Sequence, residues 1–227
     1  MVLEELSKKQ VNISTIEDPV EKNVARINQM QVNNLAGVTF EAGLRALLRQ
    51  DPDIIMVGET RDSETASISV RAAITGHLVF STLHTNDSAS SIIRLVDMGL
   101  EPYMIANSLV GVVAQRLMRK VCPLCAVAEE PTEEEKEFME RDLPRIMRPR
   151  GCRHCNNTGY KGRTAIHEIL TIDRTIRDMI SSHATVEEIK DYALEHQGMK
   201  TLKECGVDLV EAGVTTMEEL MKVAYYS

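Results

Sequence analysis

Three nearly continuous apolar runs in the first half of the chain predict buried β-strands. They are residues 11–16 (VNISTI), 53–58 (DIIMVG) and 77–83 (HLVFSTL). Strands that are covered on both faces show such runs instead of a strict alternation of apolar and polar positions. Helical patterns lie between and after these runs, so the order of elements predicts an α/β domain built on a mostly parallel sheet.

The helices after the second and third runs carry recognisable end signals. The first of them is predicted to end at Gly76, since a glycine without a Cβ can adopt the left-handed conformation that closes a helix. The helix after the third run is predicted to begin with Asp87 or Ser88 as its N-cap and to end at Gly99. The predicted order is therefore strand, helix, strand, helix.

The second half of the chain has a different pattern. From Ile172 onward the sequence reads as wholly helical, and an acidic stretch at residues 128–142 reads as a solvent-exposed helix. Helix starts are predicted at three S/T-x-x-E capping boxes, which are Thr132 to Glu135, Thr185 to Glu188 and Thr215 to Glu218.

These changes of pattern predict three parts. Residues 1–119 are assigned to the α/β domain, residues 120–165 to an inserted module that contains paired cysteines, and residues 166–227 to a helical C-terminal subdomain.

Two C-x2-C pairs predict a structural zinc site. Cys122 and Cys125 form the first pair, Cys152 and Cys155 the second, and 26 residues separate the pairs. Four thiolates complete a tetrahedral Zn²⁺ shell and leave no position open for a substrate. A redox pair or unconnected thiols are the alternatives. His154 lies inside the second pair and is expected to face solvent.

Composition and charge narrow the classes of function. The 34 acidic residues outnumber the 26 basic ones, and aromatic residues make up only 4% of the chain. A zinc-ribbon nucleic-acid binder is therefore disfavoured, because phosphate backbones attract basic surfaces and single strands need aromatic platforms. The sequence has neither an apolar run of about 20 residues nor the apolar core of a signal peptide, so we expect a cytoplasmic location.

Polar residues follow each of the three apolar runs. Glu17 and Asp18 follow the first, Glu59 follows the second, and His84 follows the third. The carboxyl ends of parallel strands share one edge of a sheet, where α/β folds bind ligands, so these side chains are expected to meet there. A carboxylate at such a position can hold Mg²⁺ or orient an attacking water, although a helix cap or a salt bridge is the more common explanation of a single carboxylate. His77, the first residue of the third run, has either a functional or a structural role.

Together the segments resemble a known family. Residues 16–21 (IEDPVE), 48–59 (LRQDPDIIMVGE) and 75–86 (TGHLVFSTLHTN), in that order, closely resemble the aspartate box, the Walker B segment and the histidine box of the secretion ATPases of type II secretion and type IV pilus assembly. The paired cysteines resemble the zinc-binding module of the secretion and pilus-extension branches.

The resemblance implies a RecA-like fold and specific roles. Glu17 is the implied base for the attacking water, Glu59 supports Mg²⁺ through water, and His84 senses the terminal phosphate of ATP. Asp18 and His77 are assigned to cofactor binding. The resemblance also implies a homo-hexameric motor that hydrolyses ATP at the cytoplasmic face of the inner membrane and contacts a membrane platform protein.

One family motif is missing from the sequence. The phosphate-binding loop G-x-x-x-x-G-K-[ST] does not occur in residues 1–227. We therefore expect a C-terminal fragment that is inactive by itself and whose complete protein is the ATPase. The alternative is an inactive, zinc-stabilised scaffold for subunit or platform contact. These motifs do not separate pilus assembly from protein secretion.

Overall fold

The computed structural model describes residues 2–224. Its helices and strands run as follows: α1 Val2–Leu6, β1 Ile13–Glu17, β2 Ile27–Gln31, α2 Phe40–Leu47, β3 Ile54–Val57, α3 Ser63–Ile74, β4 Leu78–Ser81, α4 Ser90–Asp97, α5 Pro102–Ser108, β5 Gly111–Val121, β6 Val127–Glu129, α6 Glu133–Met139, β7 Ile146–Arg148, β8 Tyr160–Thr171, α7 Arg174–Ser181, α8 Val186–His196, α9 Leu202–Glu211 and α10 Met217–Ala224. The chain is mixed α/β, as its sequence predicts.

The described chain divides into two compact units. The first comprises the residues up to Thr85, Ala89–Val110 and Ile172–Ile189, and the second comprises Asn86–Ser88, Gly111–Thr171 and the residues from Lys190 onward. The predicted boundaries near residues 119 and 165 fall within β5 and β8. The three-part division stays a prediction.

The first unit is built on a four-stranded sheet in which every described pairing is parallel. Its strand order is β2-β1-β3-β4, so the three predicted strands lie side by side. The prediction of a buried strand is wrong for β4, which ends this strand order and has no buried residue, with Leu78 44% exposed. Strand β2 was not predicted, because it lies at an edge of the sheet and its sequence, INQMQ, is mostly polar. An apolar cluster forms beneath the sheet from Ile16, Val32, Leu44, Leu47, Ile55, Val57 and Ala72.

The predicted helix ends in this unit are partly confirmed. Helix α3 is capped by the carboxylate of Asp62, which accepts from the backbone N–H of Thr65, and Gly76 follows it with φ +108°. Gly99, with φ +85°, follows α4. The predicted N-cap of α4 is wrong, because the helix begins after Ala89, and Asp87 and Ser88 belong to the preceding segment.

The second unit is organised around a long two-stranded antiparallel ribbon, β5 with β8, and a short one, β6 with β7. The sequence analysis did not predict β8. Eleven buried side chains form the core of this unit: Met118, Met139, Leu143, Ile146, Ile166, Leu202, Val207, Val210, Met217, Leu220 and Val223.

Two of the three predicted capping boxes are confirmed. They lie at the starts of α6 and α8, where Thr132 pairs with Glu135 and Thr185 with Glu188. The third, Thr215 to Glu218, is wrong, because the Thr215 hydroxyl donates to the backbone carbonyl of Arg119 and the Glu218 carboxylate accepts from Tyr160.

Candidate functional site

The carboxyl ends of β1, β3 and β4 bring Glu17, Glu59 and His84 to one edge of the sheet. Glu17 is the last residue of β1, Glu59 lies two residues beyond β3, and His84 lies three residues beyond β4. Because these strands are adjacent and parallel, their ends leave the sheet in the same direction. The position expected from the sequence is the one observed, while the chemical roles stay predictions.

Glu59 is a largely enclosed carboxylate at this edge. Its side chain is 15% exposed and accepts from Nε of Arg61 at 2.6 Å. Nε2 of His84 lies 3.7 Å from the same carboxylate, and the His84 side chain is 82% exposed. Glu59 is therefore held in place from one side, while the imidazole of His84 remains accessible to a ligand.

Glu17 is anchored from its own strand and from β2. Its Oε1 accepts from Oγ1 of Thr15 at 2.5 Å and from Nε2 of Gln29 at 3.0 Å. Two fixed donors leave the second carboxylate oxygen of Glu17 for another partner such as a water. Asp18 is exposed.

Gly58 sets the spacing between the two carboxylates. Its N–H donates to the carbonyl of Ile16 at 2.7 Å. A Cβ at Gly58 would lie 3.2 Å from both that carbonyl oxygen and Cα of Glu17. A side chain at residue 58 would therefore have to displace the backbone at Ile16 and Glu17 by a few tenths of an ångström.

The ends of β3 and β4 are also tied together. The Thr82 hydroxyl donates to the Gly58 carbonyl at 2.6 Å, and the Thr60 hydroxyl bonds with that of Ser81 at 2.7 Å. The sequence analysis did not select these residues, since threonine and serine after a strand are common in any loop. They fix the backbone that carries Glu59.

His77 does not join this group. It precedes β4, at the opposite end of the strand from His84, and its Nδ1 lies 3.1 Å from the carbonyl of Ala72 in α3. Asp53 likewise lies at the amino end of β3, where its carboxylate accepts from the backbone N–H of Asn12 at 2.7 Å. These two residues connect elements within the chain.

The four predicted metal ligands form a compact cluster in the second unit. The sulfurs of Cys122, Cys125, Cys152 and Cys155 all lie within 4.8 Å of one another. Three of the separations are 3.9 Å (Cys122 to Cys152), 3.8 Å (Cys125 to Cys155) and 3.8 Å (Cys152 to Cys155). A regular tetrahedron of sulfurs about 2.3 Å from Zn²⁺ has edges of about 3.8 Å, so the cluster has the dimensions of a Zn²⁺ site.

Backbone amides favour a thiolate at Cys155. Burial raises the pKa of the Cys155 thiol, but the N–H groups of Cys152 and Gly159, each 3.2 Å from its sulfur, outweigh burial and lower this pKa to about 6. The N–H of Gly151 donates to the sulfur of Cys125 at 3.2 Å, but there burial prevails and raises the pKa of the thiol to about 11. Thiolate is the form that binds a metal.

Two further residues, His154 and Cys205, lie outside the cluster of four sulfurs. His154 is exposed, as expected for a residue outside the ligand set. Cys205 is partly buried and donates to the His167 carbonyl at 3.2 Å, and burial raises the pKa of its thiol. Among residues 2–224, none of the helices is long and apolar enough to cross a membrane.

Comparison with known proteins identifies relatives along nearly the whole chain. The chain is 46% identical over 226 residues to the type IV pilus assembly ATPase TfpB of Acinetobacter baylyi, 50% identical over 225 residues to the type IV pilus assembly ATPase PilB of Thermus thermophilus, and 45% identical over 224 residues to the type II secretion system ATPase E of Vibrio cholerae. Each match covers 97% of this chain but only 38%, 25% and 44% of the respective relative.

Solved structures show the same fold. The crystal structure of the pilus retraction motor PilT with bound ADP matches 97% of this chain and 55% of its own, with a TM-score of 0.70 and 28% identity. The X-ray structure of the Legionella pneumophila ATPase DotB, at 23% identity and a TM-score of 0.67, shares the fold. The profile of the family described as type II/IV secretion system protein matches residues 1–222, and the chain therefore belongs to that family.

Proposed function

We propose that this chain supplies two carboxylates and a histidine to an ATP-hydrolysing site. The site would belong to a motor for type IV pilus assembly or type II secretion. The observation that carries the proposal is the convergence of Glu17, Glu59 and His84 at the carboxyl edge of the parallel sheet. The similar proteins named as pilus assembly and secretion ATPases support it.

Each of the three residues fits one task in phosphoryl transfer. Glu17, fixed by Thr15 and Gln29, is proposed to accept the proton of the attacking water. Glu59 is proposed to hold Mg²⁺ through water, since an enclosed carboxylate after a strand suits this ion. The exposed imidazole of His84 is proposed to contact the terminal phosphate. Mg²⁺, when bound, would neutralise charge on the phosphates.

Asp18 and His77 stay proposed cofactor-binding residues on the strength of the family resemblance. Asp18 adjoins Glu17 and is exposed. His77, at the far end of β4, has no described contact with the group around Glu59 within this chain.

The phosphate-binding loop is proposed to come from a part of the polypeptide outside these 227 residues, because the loop string does not occur within them. By themselves these residues should bind a fluorescent ATP analogue weakly or not at all. Micromolar affinity would contradict this part of the proposal.

The cysteine cluster is proposed to bind one structural Zn²⁺. Its sulfur separations fit a closed tetrathiolate shell, which leaves no coordination site for chemistry. A homo-hexameric assembly, a cytoplasmic position at the inner membrane and contact with a platform protein complete the proposal. Contact with nucleic acid is not part of it, given the net charge of −8.

Replacing Glu17 by Gln tests the proposed function in the complete polypeptide that includes a phosphate-binding loop. ATP turnover should fall by about 100-fold or more, since general base catalysis contributes about that much. Glu64→Gln is the matched control, because Glu64 is exposed in the first turn of α3. Normal turnover by Glu17→Gln would overturn the role assigned to Glu17.

The second candidate is an inactive zinc-stabilised scaffold for subunit or platform contact. The missing loop string favours it for these residues alone. ATP turnover by the complete polypeptide separates the two candidates. A motor ATPase hydrolyses ATP, and a scaffold does not.

A further inference from the structure

The two cysteine pairs of the second unit carry exposed side chains at their tips. Leu124 lies between the cysteines of the first pair and is 71% exposed. Arg153 lies between the cysteines of the second pair and is also exposed. The two tips lie close together, because the sulfurs of Cys125 and Cys155 are 3.8 Å apart. An apolar side chain and a cationic side chain therefore share one small surface.

Two lysines extend the cationic part of this surface. Nζ of Lys161, near the start of β8, lies 3.5 Å from the backbone carbonyl oxygen of His154, which follows Arg153. Lys120 is exposed near the end of β5, the strand that pairs with β8. We call Lys120, Leu124, Arg153 and Lys161 the knuckle surface. All four residues belong to the second unit.

The three cations of the knuckle surface have no acidic partner in the described chain. Within residues 2–224, no carboxylate forms an ion pair with Lys120, Arg153 or Lys161. Arg148 and Arg150, just before the second cysteine pair, are by contrast each paired with a glutamate of the same unit. The knuckle surface is therefore positively charged, although the whole chain has a net charge of −8.

We propose that the knuckle surface is the docking site for an acidic segment of a partner protein that also carries an apolar side chain. Carboxylates of the partner would pair with Arg153, Lys120 and Lys161, and its apolar side chain would contact Leu124. Such charge complementarity selects the partner and speeds association. This inference concerns contact with a partner and does not depend on ATP hydrolysis.

The knuckle surface is held ready for docking by its own backbone. Backbone N–H groups of Gly151, Cys152 and Gly159 donate to cysteine sulfurs, each at 3.2 Å. These bonds fix the loops that carry Leu124 and Arg153. A surface that is already ordered loses less conformational entropy when a partner binds.

An anionic lipid surface fits the knuckle surface less well. A membrane is a broad plane, and its anionic headgroups repel a chain with a net charge of −8. The second unit also exposes Glu130, Glu133 and Glu134, whose carboxylates such a plane would repel. A polypeptide segment is narrow enough to contact the three cations without approaching these carboxylates.

Fluorescence anisotropy with labelled peptides tests the docking. The acidic probe is a peptide of about 16 residues made of Glu-Leu-Glu-Glu repeats, and the basic probe has Lys in place of every Glu. The 227-residue chain should bind the acidic probe at least about tenfold more tightly than the basic one. Non-specific attraction would favour the basic probe, because the chain as a whole is negative.

The salt dependence and two variants locate the binding. At about 0.5 M salt, which screens charges beyond about 4 Å, the affinity for the acidic probe should fall about tenfold. The double variant Arg153→Gln, Lys161→Gln should weaken binding about tenfold at low salt. Leu124→Asn should weaken it about threefold at low and high salt alike, since an apolar contact is not screened. All three side chains are exposed, so circular dichroism should show unchanged folding.

Arg145→Gln is the matched control, since it removes one positive charge elsewhere in the same unit. Arg145 is exposed and adjoins Ile146, which pairs with Glu129. This pair is at the end of the β6–β7 ribbon away from the cysteines, because Val127 and Arg148 form the pair nearest to them. Binding of the acidic probe should change less than about twofold in Arg145→Gln.

Four results would overturn the inference. Tighter binding of the basic probe would show that the knuckle surface does not select acidic segments. Equal weakening in Arg145→Gln and in the double variant would show that the binding is not located there. Sedimentation with vesicles of equal parts phosphatidylcholine and phosphatidylglycerol, without binding of the acidic probe, would assign the surface to lipid. Self-association of the chain that the double variant abolishes would assign it to a second copy.

Discussion

Replacement of Glu219 by Gln should destabilise the second unit by an amount that depends on pH. The Glu219 side chain, at the start of α10, is 7% exposed. It accepts from the backbone N–H of Arg119 at 2.9 Å, from the Arg119 guanidinium at 3.0 and 2.7 Å, and from Nζ of Lys222 at 2.7 Å. This one carboxylate therefore ties α10 to β5.

The pKa of Glu219 sets the size of the effect. Burial raises this pKa, but the hydrogen bonds from Arg119 and Lys222 outweigh burial and lower it from 4.5 to about 2. Each unit by which a pKa is lowered corresponds to about 1.4 kcal/mol, so the upper bound is about 3 kcal/mol at neutral pH. Because the Arg119 side chain is 42% exposed, solvent screening reduces our expectation to about 2 kcal/mol.

The sign of the pH dependence follows from the lowered pKa. The stabilisation is fully present above pH 4.5, the pKa in the unfolded chain, and is lost as the pH falls through about 2. The advantage of the unmodified chain over Glu219→Gln should therefore be about the same at pH 7 and pH 5, and should fall to less than half at pH 3.

Urea unfolding followed by circular dichroism measures this difference. Glu133→Gln is the matched control, since Glu133 pairs with Lys136 on the surface and its side chain is 90% exposed. The control should change the free energy of unfolding by less than about 0.5 kcal/mol. An equal effect of the two substitutions, or an effect of Glu219→Gln that is the same at pH 3 and pH 7, would refute the reasoning.

Two further predictions concern the metal cluster and the spacing of the site. Cys152→Ser should abolish stoichiometric zinc in elemental analysis and make residues 121–163 sensitive to protease, because a closed thiolate shell contributes folding free energy; one zinc per chain in this variant, or unchanged protease resistance, would contradict the assignment. Gly58→Ala should lower ATP turnover in the complete polypeptide about tenfold, because its Cβ would lie 3.2 Å from backbone atoms of Ile16 and Glu17; the same turnover as the unmodified protein would show that this spacing does not matter.

The strands and the metal site that have a clear local sequence pattern could be predicted from the sequence. Strands β1, β3 and β4 are continuous apolar runs, and parallel pairing then required their carboxyl ends to share one edge. The metal cluster could be predicted as well, because the two-residue spacing within each C-x2-C pair lets both of its thiols reach one ion.

Strand β8 could not be predicted because its alternation of apolar and polar residues is reversed at residues 168 and 169. Ile166 and Leu170 are buried, and an alternating strand would place an apolar residue between them at 168. The chain instead buries Glu168 and leaves Ile169 57% exposed. Only the three-dimensional structure supplies the donors of Ser88 and Leu202, from distant parts of the chain, that make a buried carboxylate stable.

The failed capping box at Thr215 has a similar cause. The T-x-x-E pattern is present, but the side chains of Thr215 and Glu218 form hydrogen bonds with residues distant in sequence instead of with each other's backbone. Arg119 offers a carbonyl to the Thr215 hydroxyl, and Tyr160 donates its hydroxyl to Glu218. A local signal therefore predicts a cap only where no distant group competes for it.

We propose that the carboxyl edge of the sheet hydrolyses ATP in the complete polypeptide, with Glu59 holding Mg²⁺ through water. The most direct test of this proposal is single-turnover ATP hydrolysis by the complete polypeptide with Glu59→Gln, with ATP binding measured in parallel. The account predicts that the hydrolysis step slows by at least about 100-fold while ATP still binds within about tenfold of its normal affinity. Hydrolysis at the normal rate by Glu59→Gln would contradict the account.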